Sequence, residues 1–512
     1  MPNVTIAASD TALEVEVTGG RIAGSVRGGL RMWRGIPYAA PPVGRRRLRA
    51  PEPVVPWSGV RSAAEFGAVA YQDRDTQVGV GTGRLPRSED CLTLNVIAPD
   101  DEVAGRPVMV FIHGGAYLNG SSREIPHLGE ALVREGGVVF VNLNYRLGAL
   151  GYLDFRRYGS EARPFDANLG LRDQVAALAW VRDNIRAFGG DPDAVTVFGE
   201  SAGANAVTTL LATPSARGLF ARAIAESSPV EAIYTEDVAQ DWAGVYVDIL
   251  RELTGEREVD VATLLSTAGA GVMTRAAVLM QRRFTEDVPG TAPFSPVIDG
   301  DVLPERPSDA VAAGRSARVP LIIGTNEREG TLFRGRLDLL ASTKPRIRAI
   351  FAKTERDARR NLFSVYRALP ARTSAAQFAG DYSFWYPSIK YAEGHAQHAP
   401  VWFYRFDIAP RVLHLTGFGA THGIELFAVF DLIDTPIARL AGILGGRGAF
   451  RRAGSRVRNR WLEFARSGTV GTGWPTYDVD ARRTLVIDEP DRVEADPLAE
   501  RRTAWQAFVP YV

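Results

Sequence analysis

The sequence predicts an α/β fold, a mostly parallel central sheet flanked by helices. Three observations carry that prediction. First, short apolar runs end in glycine-rich turns or short polar segments: VMVFIHGG (108–115), VVFVNLNY (138–145), AVTVFGES (194–201) and VPLIIGTN (319–326). They are rich in β-branched residues and lack clean alternation, as strands buried on both faces do. Second, helical patterns lie between them, the clearest being LGLRDQVAALAWVRDNIRAF (169–188). Third, strand, turn, helix and strand follow one another, the order in which crossover helices build a parallel sheet.

Each element has its own reason. In 169–188, Leu171, Val175, Leu178, Val181 and Ile185 recur at three- and four-residue spacing. Arg172, Asp173, Arg182 and Asp183 fall between them, which predicts one apolar and one polar face. AVTVF reads as a strand and AGANAVTTLLAT as the helix after it. Between 230 and 315, DWAGVYVDILRELTG and TRAAVLMQRRF read as amphipathic helices, and 335–400 is mostly helical. Both segments stand between sheet strands. They are expected to be helical insertions over one sheet edge, where ligands of open α/β sheets bind. No linker divides the chain, so 1–512 is expected to be one domain.

Composition narrows the function. Hydrophobic residues make up 46% and charged residues 23% of the 512. Lys+Arg 60 against Asp+Glu 59 leaves +1, no electrostatic reason to propose nucleic acid or an anionic membrane as partner. The N-terminus has no basic segment followed by an apolar one, and no apolar run approaches the ~18 residues of a span. The C-terminus, WQAFVPYV, carries no lipidation motif. Cys91 is the single cysteine, so no disulfide can form within the chain. A cytoplasmic protein is expected.

GESAG (199–203) matches G-x-S-x-G. A serine lifted out of a tight strand-to-helix turn needs strained backbone angles, and side chains two residues away would clash. The helix N-terminus beneath Ser201 helps to hold negative charge. HGGAY (113–117) follows the strand VMVFI and can turn backbone N–H groups toward a developing oxyanion. The remaining donor is the N–H after the serine, that of Ala202. The base must follow the serine and an acid. His395 and His398 in HAQH read as a solvated helix face, not a metal pair, and His414 has no distinguishing context. His422, in GATHGIELFAVF, sits in a glycine-flanked loop before an apolar stretch. The acid belongs after VPLII, where GTNEREGTLF supplies Glu327 and Glu329. Spacing does not choose between them.

With these residues in place, the chain resembles the type-B carboxylesterase family, which includes bacterial para-nitrobenzyl esterases and, more distantly, cholinesterases. The likeness runs through WRGIPYAAPPVGRRRLRAPEP (33–53), SEDCLTLNV (88–96), VMVFIHGGAYLNGSS, VNLNYRLGALGYL, the GESAG block, GLFARAIAESS (218–228), GTNEREG and THGIEL. It implies an α/β-hydrolase fold, with Ser201 as nucleophile, Glu329 as acid and His422 as base. It implies an oxyanion hole from the N–H groups of Gly115, Ala116 and Ala202, and places Glu200 and Ser227 close behind the histidine. Three departures stand out. Cys91 has Ala70 where secreted relatives have a partner cysteine. Segment 71–90 holds no Trp and only Tyr71 as an aromatic, so choline esters are not favoured. Ser228 and Pro229 stand where the family usually ends Gln-Ser-Gly, which predicts a different acyl-side wall.

The expected activity is hydrolysis of small-molecule carboxylic esters through an acyl-enzyme, with no metal or cofactor. The expected assembly is a monomer or weak homo-oligomer. One alternative is the same chemistry on amides or carbamates. Another is a non-catalytic adhesion or binding module of the same fold, against which stands the presence of every catalytic position.

Overall fold

The computed structural model describes residues 13–73, 85–124, 128–333 and 339–509. Its main sheet has thirteen strands among these residues. They are β1 (Leu13–Val17), β2 (Gly20–Arg27), β3 (Leu30–Pro37), β4 (Val60–Ser62), β5 (Thr93–Pro99), β6 (Arg106–Ile112), β7 (Val139–Leu143), β8 (Gly190–Glu200) and β9 (Arg222–Glu226). Two short strands, β10 (Tyr234–Thr235) and β11 (Val297–Ile298), pair only with each other. The main sheet resumes with β12 (Leu321–Asn326), β13 (Val401–Phe406), β14 (Arg483–Ile487) and β15 (Arg492–Ala495). The order is β1-β2-β3-β5-β7-β6-β8-β9-β12-β13-β14-β15, with β4 beside β2. From β7 to β14 every neighbouring pair is parallel. The centre of the sheet is thus mostly parallel and flanked by helices, as the apolar runs predict.

Burial on both faces explains why those runs do not alternate. Val108, Val110 and Ile112 of β6 enter one core, while Met109 and Phe111 enter the other. β8 repeats the split, with Val195 and Val197 on the first side and Phe198 on the second. Helices Leu169–Asn184, Ala202–Leu211, Glu236–Thr254 and Ala270–Asp287 cover the first face. Helices Glu130–Gly136 and Arg447–Ser467 cover the second.

The antiparallel strands at both ends were not predicted. β1, β2 and β15 are short or charged and partly exposed, so their apolar signal is weak. The segment expected to be helical from 230 to 315 carries Glu236–Thr254, Val261–Thr267, Ala270–Asp287 and Pro307–Ala312. That expected from 335 to 400 carries Lys344–Ala352, Arg356–Val365, Arg372–Gly380 and Tyr386–His395, and its first residues, 335–338, lie outside the described ones. Among the described residues no single helix is long and apolar enough to cross a membrane.

Two side chains depart from their expected faces. Asp173 is fully buried, because Arg146 meets it through Nε at 2.8 Å and Nη2 at 2.6 Å. A guanidinium held in two places satisfies the carboxylate that periodicity alone assigns to water. His395 is also buried, its Nε2 2.8 Å from the Val319 carbonyl oxygen just before β12. It is a core residue, not part of a solvated face. His398, three residues on, is half-buried.

Candidate active site

The site forms where parallel strands deliver their carboxyl ends to one edge. β8 ends at Glu200, and helix Ala202–Leu211 starts two residues later. Ser201, between them, has φ 58° and ψ −124°, strained for any residue but glycine. Its N–H donates to the Glu226 carbonyl oxygen at 2.9 Å, which pins the turn to the end of β9. The flanking glycines are required by contact. A Cβ on Gly199 would lie 2.6 Å from the Ile112 carbonyl oxygen, and one on Gly203 would lie on that same oxygen.

The loop after β6 passes directly over the turn. A Cβ on Gly114 would sit 3.1 Å from Ser201 Cβ and 2.6 Å from the Glu200 carbonyl oxygen. Gly115 has φ 111°, Ala116 53° and Tyr117 56°. A Cβ on Gly115 would collide with the Asn119 carbonyl. Three successive residues thus lie in the left-handed region, which favours glycine and strains the two residues after it. None of the N–H groups of Gly115, Ala116 and Ala202 enters a turn or cap hydrogen bond among the described residues. The loop is buttressed from the segment after β7, where Tyr145 Oη donates to the His113 carbonyl oxygen at 2.7 Å and Gly148 N–H to that of Tyr117 at 2.7 Å.

His422 arrives after β13, and Glu329 after β12. His422 Nδ1 lies 2.5 Å from Glu329 Oε2, and both side chains are buried. The other candidate acid, Glu327, instead lies beside Arg328 at 3.4 Å in a half-exposed pair. Glycine again makes the fit, for a Cβ on Gly330 would meet the Ala376 carbonyl oxygen of helix Arg372–Gly380. His422 Nε2 lies 3.1 Å from Glu200 Oε1, without hydrogen-bond geometry. Glu200, His422 and Glu329 are therefore brought together, with Ser201 next to Glu200 in the chain. No hydrogen bond joins Ser201 Oγ to His422 in this state; such bonds often tighten only around substrate.

Behind them lies a buried network that the sequence reading reached only in part. Ser227, at φ 56°, has its Oγ 2.6 Å from Glu329 Oε1 and 2.9 Å from Glu425 Oε1. Asn326 N–H donates to Glu329 Oε1 at 2.6 Å, and its Nδ2 donates to Glu425 Oε2. Glu226, fully buried, accepts from Trp461 Nε1 at 2.6 Å. A serine has one proton, so it cannot donate to both neighbours. A protonated Glu425 donating to Ser227, which donates to Glu329, satisfies all three.

The electrostatics fit that order. Burial, then Glu329 and Glu200, push Glu425 up to about 8. Burial pushes Glu200 up to about 7, with His422 opposing the rise. Glu226 lies well above the ordinary carboxylate range, chiefly through burial and then Glu425. Burial works against charge on His422, yet Glu200 and Glu329 outweigh it and raise the imidazole to about 9. Carboxylates and imidazole thus compete for few protons in a buried site. Two aromatic rings pack on His422 and help to bury it, Phe384 with its centroid 4.5 Å from that of His422 and Phe333 at 5.0 Å.

Glu425, Asn326, Glu226, Phe333 and Phe384 were missed. Glu425 had a signal, since it stands three residues after His422 in THGIEL; Glu226 directly precedes Ser227. Phe333 ends the same GTNEREGTLF segment as Glu329, whereas Phe384 stands in a segment that carries no motif. The changed wall at Ser228 turns inward: its Oγ lies 3.2 Å from Thr208 Oγ1, in the core. Cys91 is buried and its thiol pushed up by burial, as expected of a small hydrophobe. Ala70 is buried and lines the same small cavity. Of segment 71–90, residues 74–84 lie outside the described ones, as does His127. No group of three or more metal-ligating side chains occurs among the described residues.

Comparison with known proteins agrees with this architecture. The model of the carboxylesterase family matches residues 11–505. The chain is 37% identical over 488 residues to the para-nitrobenzyl esterase of Bacillus subtilis (strain 168), covering 94% of this chain and 96% of that protein. It is 32% identical over 503 residues to the phenmedipham hydrolase of Pseudarthrobacter oxydans, covering 94% and 96%. Among solved structures, a thermophilic PNB esterase superposes with a TM-score of 0.85 at 34% identity, covering 96% of this chain and all of that one.

Proposed function

The chain belongs to the carboxylesterase family and is a carboxylic ester hydrolase, and from that premise we propose that it cleaves small-molecule esters through an acyl-enzyme on Ser201. His422 Nε2 takes the Ser201 proton as Oγ attacks the carbonyl carbon. Glu329 holds the imidazole by Nδ1 and stabilises it once charged. The tetrahedral oxyanion rests on the N–H groups of Gly115, Ala116 and Ala202. His422 then gives its proton to the departing alkoxide. It next takes one from a water that attacks the acyl carbon and returns it to Ser201 Oγ as the acyl carbon–Oγ bond breaks, and the carboxylic acid leaves.

The observation that carries this reading is the 2.5 Å contact between His422 and Glu329, both buried at the edge where the strained Ser201 turn stands. Two further features support it. The helical segments 230–315 and 335–400 frame the substrate pocket. Phe384 comes from the second, while Met273 and Ala277 of the first share an apolar cavity with Leu118 of the oxyanion loop. Uncharged walls of this kind favour apolar esters over cationic ones.

The test is chemical. An organophosphonate should add once per chain, on the peptide carrying Ser201, and abolish p-nitrophenyl ester turnover. Ser201→Ala should lose the adduct and about six orders of magnitude in kcat, the size measured when such a nucleophile is removed elsewhere. Protein that forms no adduct and turns over no p-nitrophenyl ester would overturn the proposal.

A further inference from the structure

The surface flanking His422 combines exposed aliphatic side chains with arginines. Five of the seventeen large apolar side chains exposed among the described residues fall between 415 and 444. Leu415 and Ile443 are 70% exposed, Leu440 65%, Leu444 54% and Ile437 48%. They stand on helices Arg411–Leu415 and Pro436–Ala441 and on the loop that follows. The pieces form one face. The two helices pack together, and Arg411 N–H donates to the Gly445 carbonyl oxygen at 3.1 Å. The face follows the carboxyl end of β13, the edge on which the active site opens. It is tied to the His422 loop, because Gly419 N–H donates to the Leu413 carbonyl oxygen at 2.9 Å.

Charge decides what this face fits. Arg411 and Arg439 are exposed and have no acidic partner among the described residues. Arg447 and Arg451 share the single carboxylate of Asp434. Four guanidiniums therefore flank the aliphatic patch against Asp434 and Asp431, the latter already paired with the buried Arg458. A two-fold contact between copies would press these cationic rims together. A bilayer surface carrying anionic phospholipid meets both features. The aliphatic chains enter the headgroup boundary while the arginines reach phosphate oxygens. The near-zero net charge hides this because it averages over the chain.

We propose that the face built from Leu415, Ile437, Leu440, Ile443 and Leu444, rimmed by Arg411 and Arg439, docks the protein reversibly on anionic phospholipid bilayers. The proposal goes beyond ester hydrolysis and does not depend on it. Flotation of the full chain with phosphatidylcholine vesicles, with and without phosphatidylglycerol, tests it. The protein should float with the anionic vesicles only, and less as salt is added. The Leu440→Glu, Ile443→Glu double variant should float about tenfold less, since it removes burial and adds repulsion. Arg411→Gln with Arg439→Gln should lower binding several-fold and flatten its salt dependence. Both variants alter exposed positions and should keep the wild-type melting temperature; should the first misfold, the second alone decides. Wild type that stays at the bottom with anionic vesicles overturns the proposal, as do variants that float like wild type. So does a dimer in sedimentation that Leu440→Glu, Ile443→Glu dissociates, which would make the face a contact between copies.

Discussion

Glu200 is the residue on which the pH behaviour turns. It lies 3.1 Å from His422 Nε2, the atom proposed to take the serine proton. A base must be neutral to accept a proton, and Glu200 and Glu329 raise His422 above an ordinary histidine. A raised pKa keeps the imidazolium to higher pH, so activity is lost earlier as pH falls. The acid limb of kcat/KM should therefore lie above the ordinary value of about 6.5. Glu200→Gln removes one anion and leaves the burial, which disfavours charge. The limb should then fall by about one unit or more. A limb that stays put or rises would refute the coupling. Glu425 predicts the opposite trend, in stability. Its folded pKa of about 8 exceeds the unfolded one, so the folded state holds the extra proton. That contribution is lost as pH rises from the ordinary carboxylate range through about 8. Glu425→Gln, permanently neutral, should gain on wild type in melting temperature between about pH 5 and about pH 9. A constant difference across that range would show that Glu425 is already ionised in the fold.

The strand–turn–helix around Ser201 shows why some elements were legible and others were not. Gly199 and Gly203 stand in a motif because β6 passes so close that no Cβ fits. Gly203→Ala should therefore cost about 1–3 kcal/mol in denaturant unfolding, as overpacking does, and should lower turnover by displacing the nucleophile. An unchanged midpoint would mean that β6 can yield. The same physics made the four central strands readable, since burial on both faces forces apolar runs. It hid β1, β2 and β15, where exposure lets charge into the strand. It also misplaced His395 and Asp173. Periodicity reports an average face, whereas each of these is buried by one specific partner, the Val319 carbonyl and Arg146.

At the scale of the whole molecule, Glu200, Glu329 and His422 are far apart in sequence and meet only because parallel strands end at one edge. Motif order could suggest that meeting, and spacing could not choose Glu329 over Glu327. Nor could the sequence reveal what holds the edge together. Arg146 is one such tie. It is buried, bonded twice to Asp173 in helix Leu169–Asn184, and its Nη1 donates to the Arg49 carbonyl oxygen at 2.7 Å. Its neighbours Tyr145 and Gly148 brace the loop after β6, proposed above to hold the oxyanion. Removing the guanidinium leaves Asp173 buried without its countercharge. Arg146→Ala should thus cost about 3–5 kcal/mol, far more than any exposed pair. The damage should also reach the loop that Tyr145 and Gly148 hold. A displaced donor weakens the transition state more than the bound ester, so kcat should fall well before KM changes. Equal loss from Asp173→Ala and from the double variant would show that the pair acts as one unit. If Arg146→Ala melts like wild type, the tie is dispensable and the loop after β6 is held by its own turn.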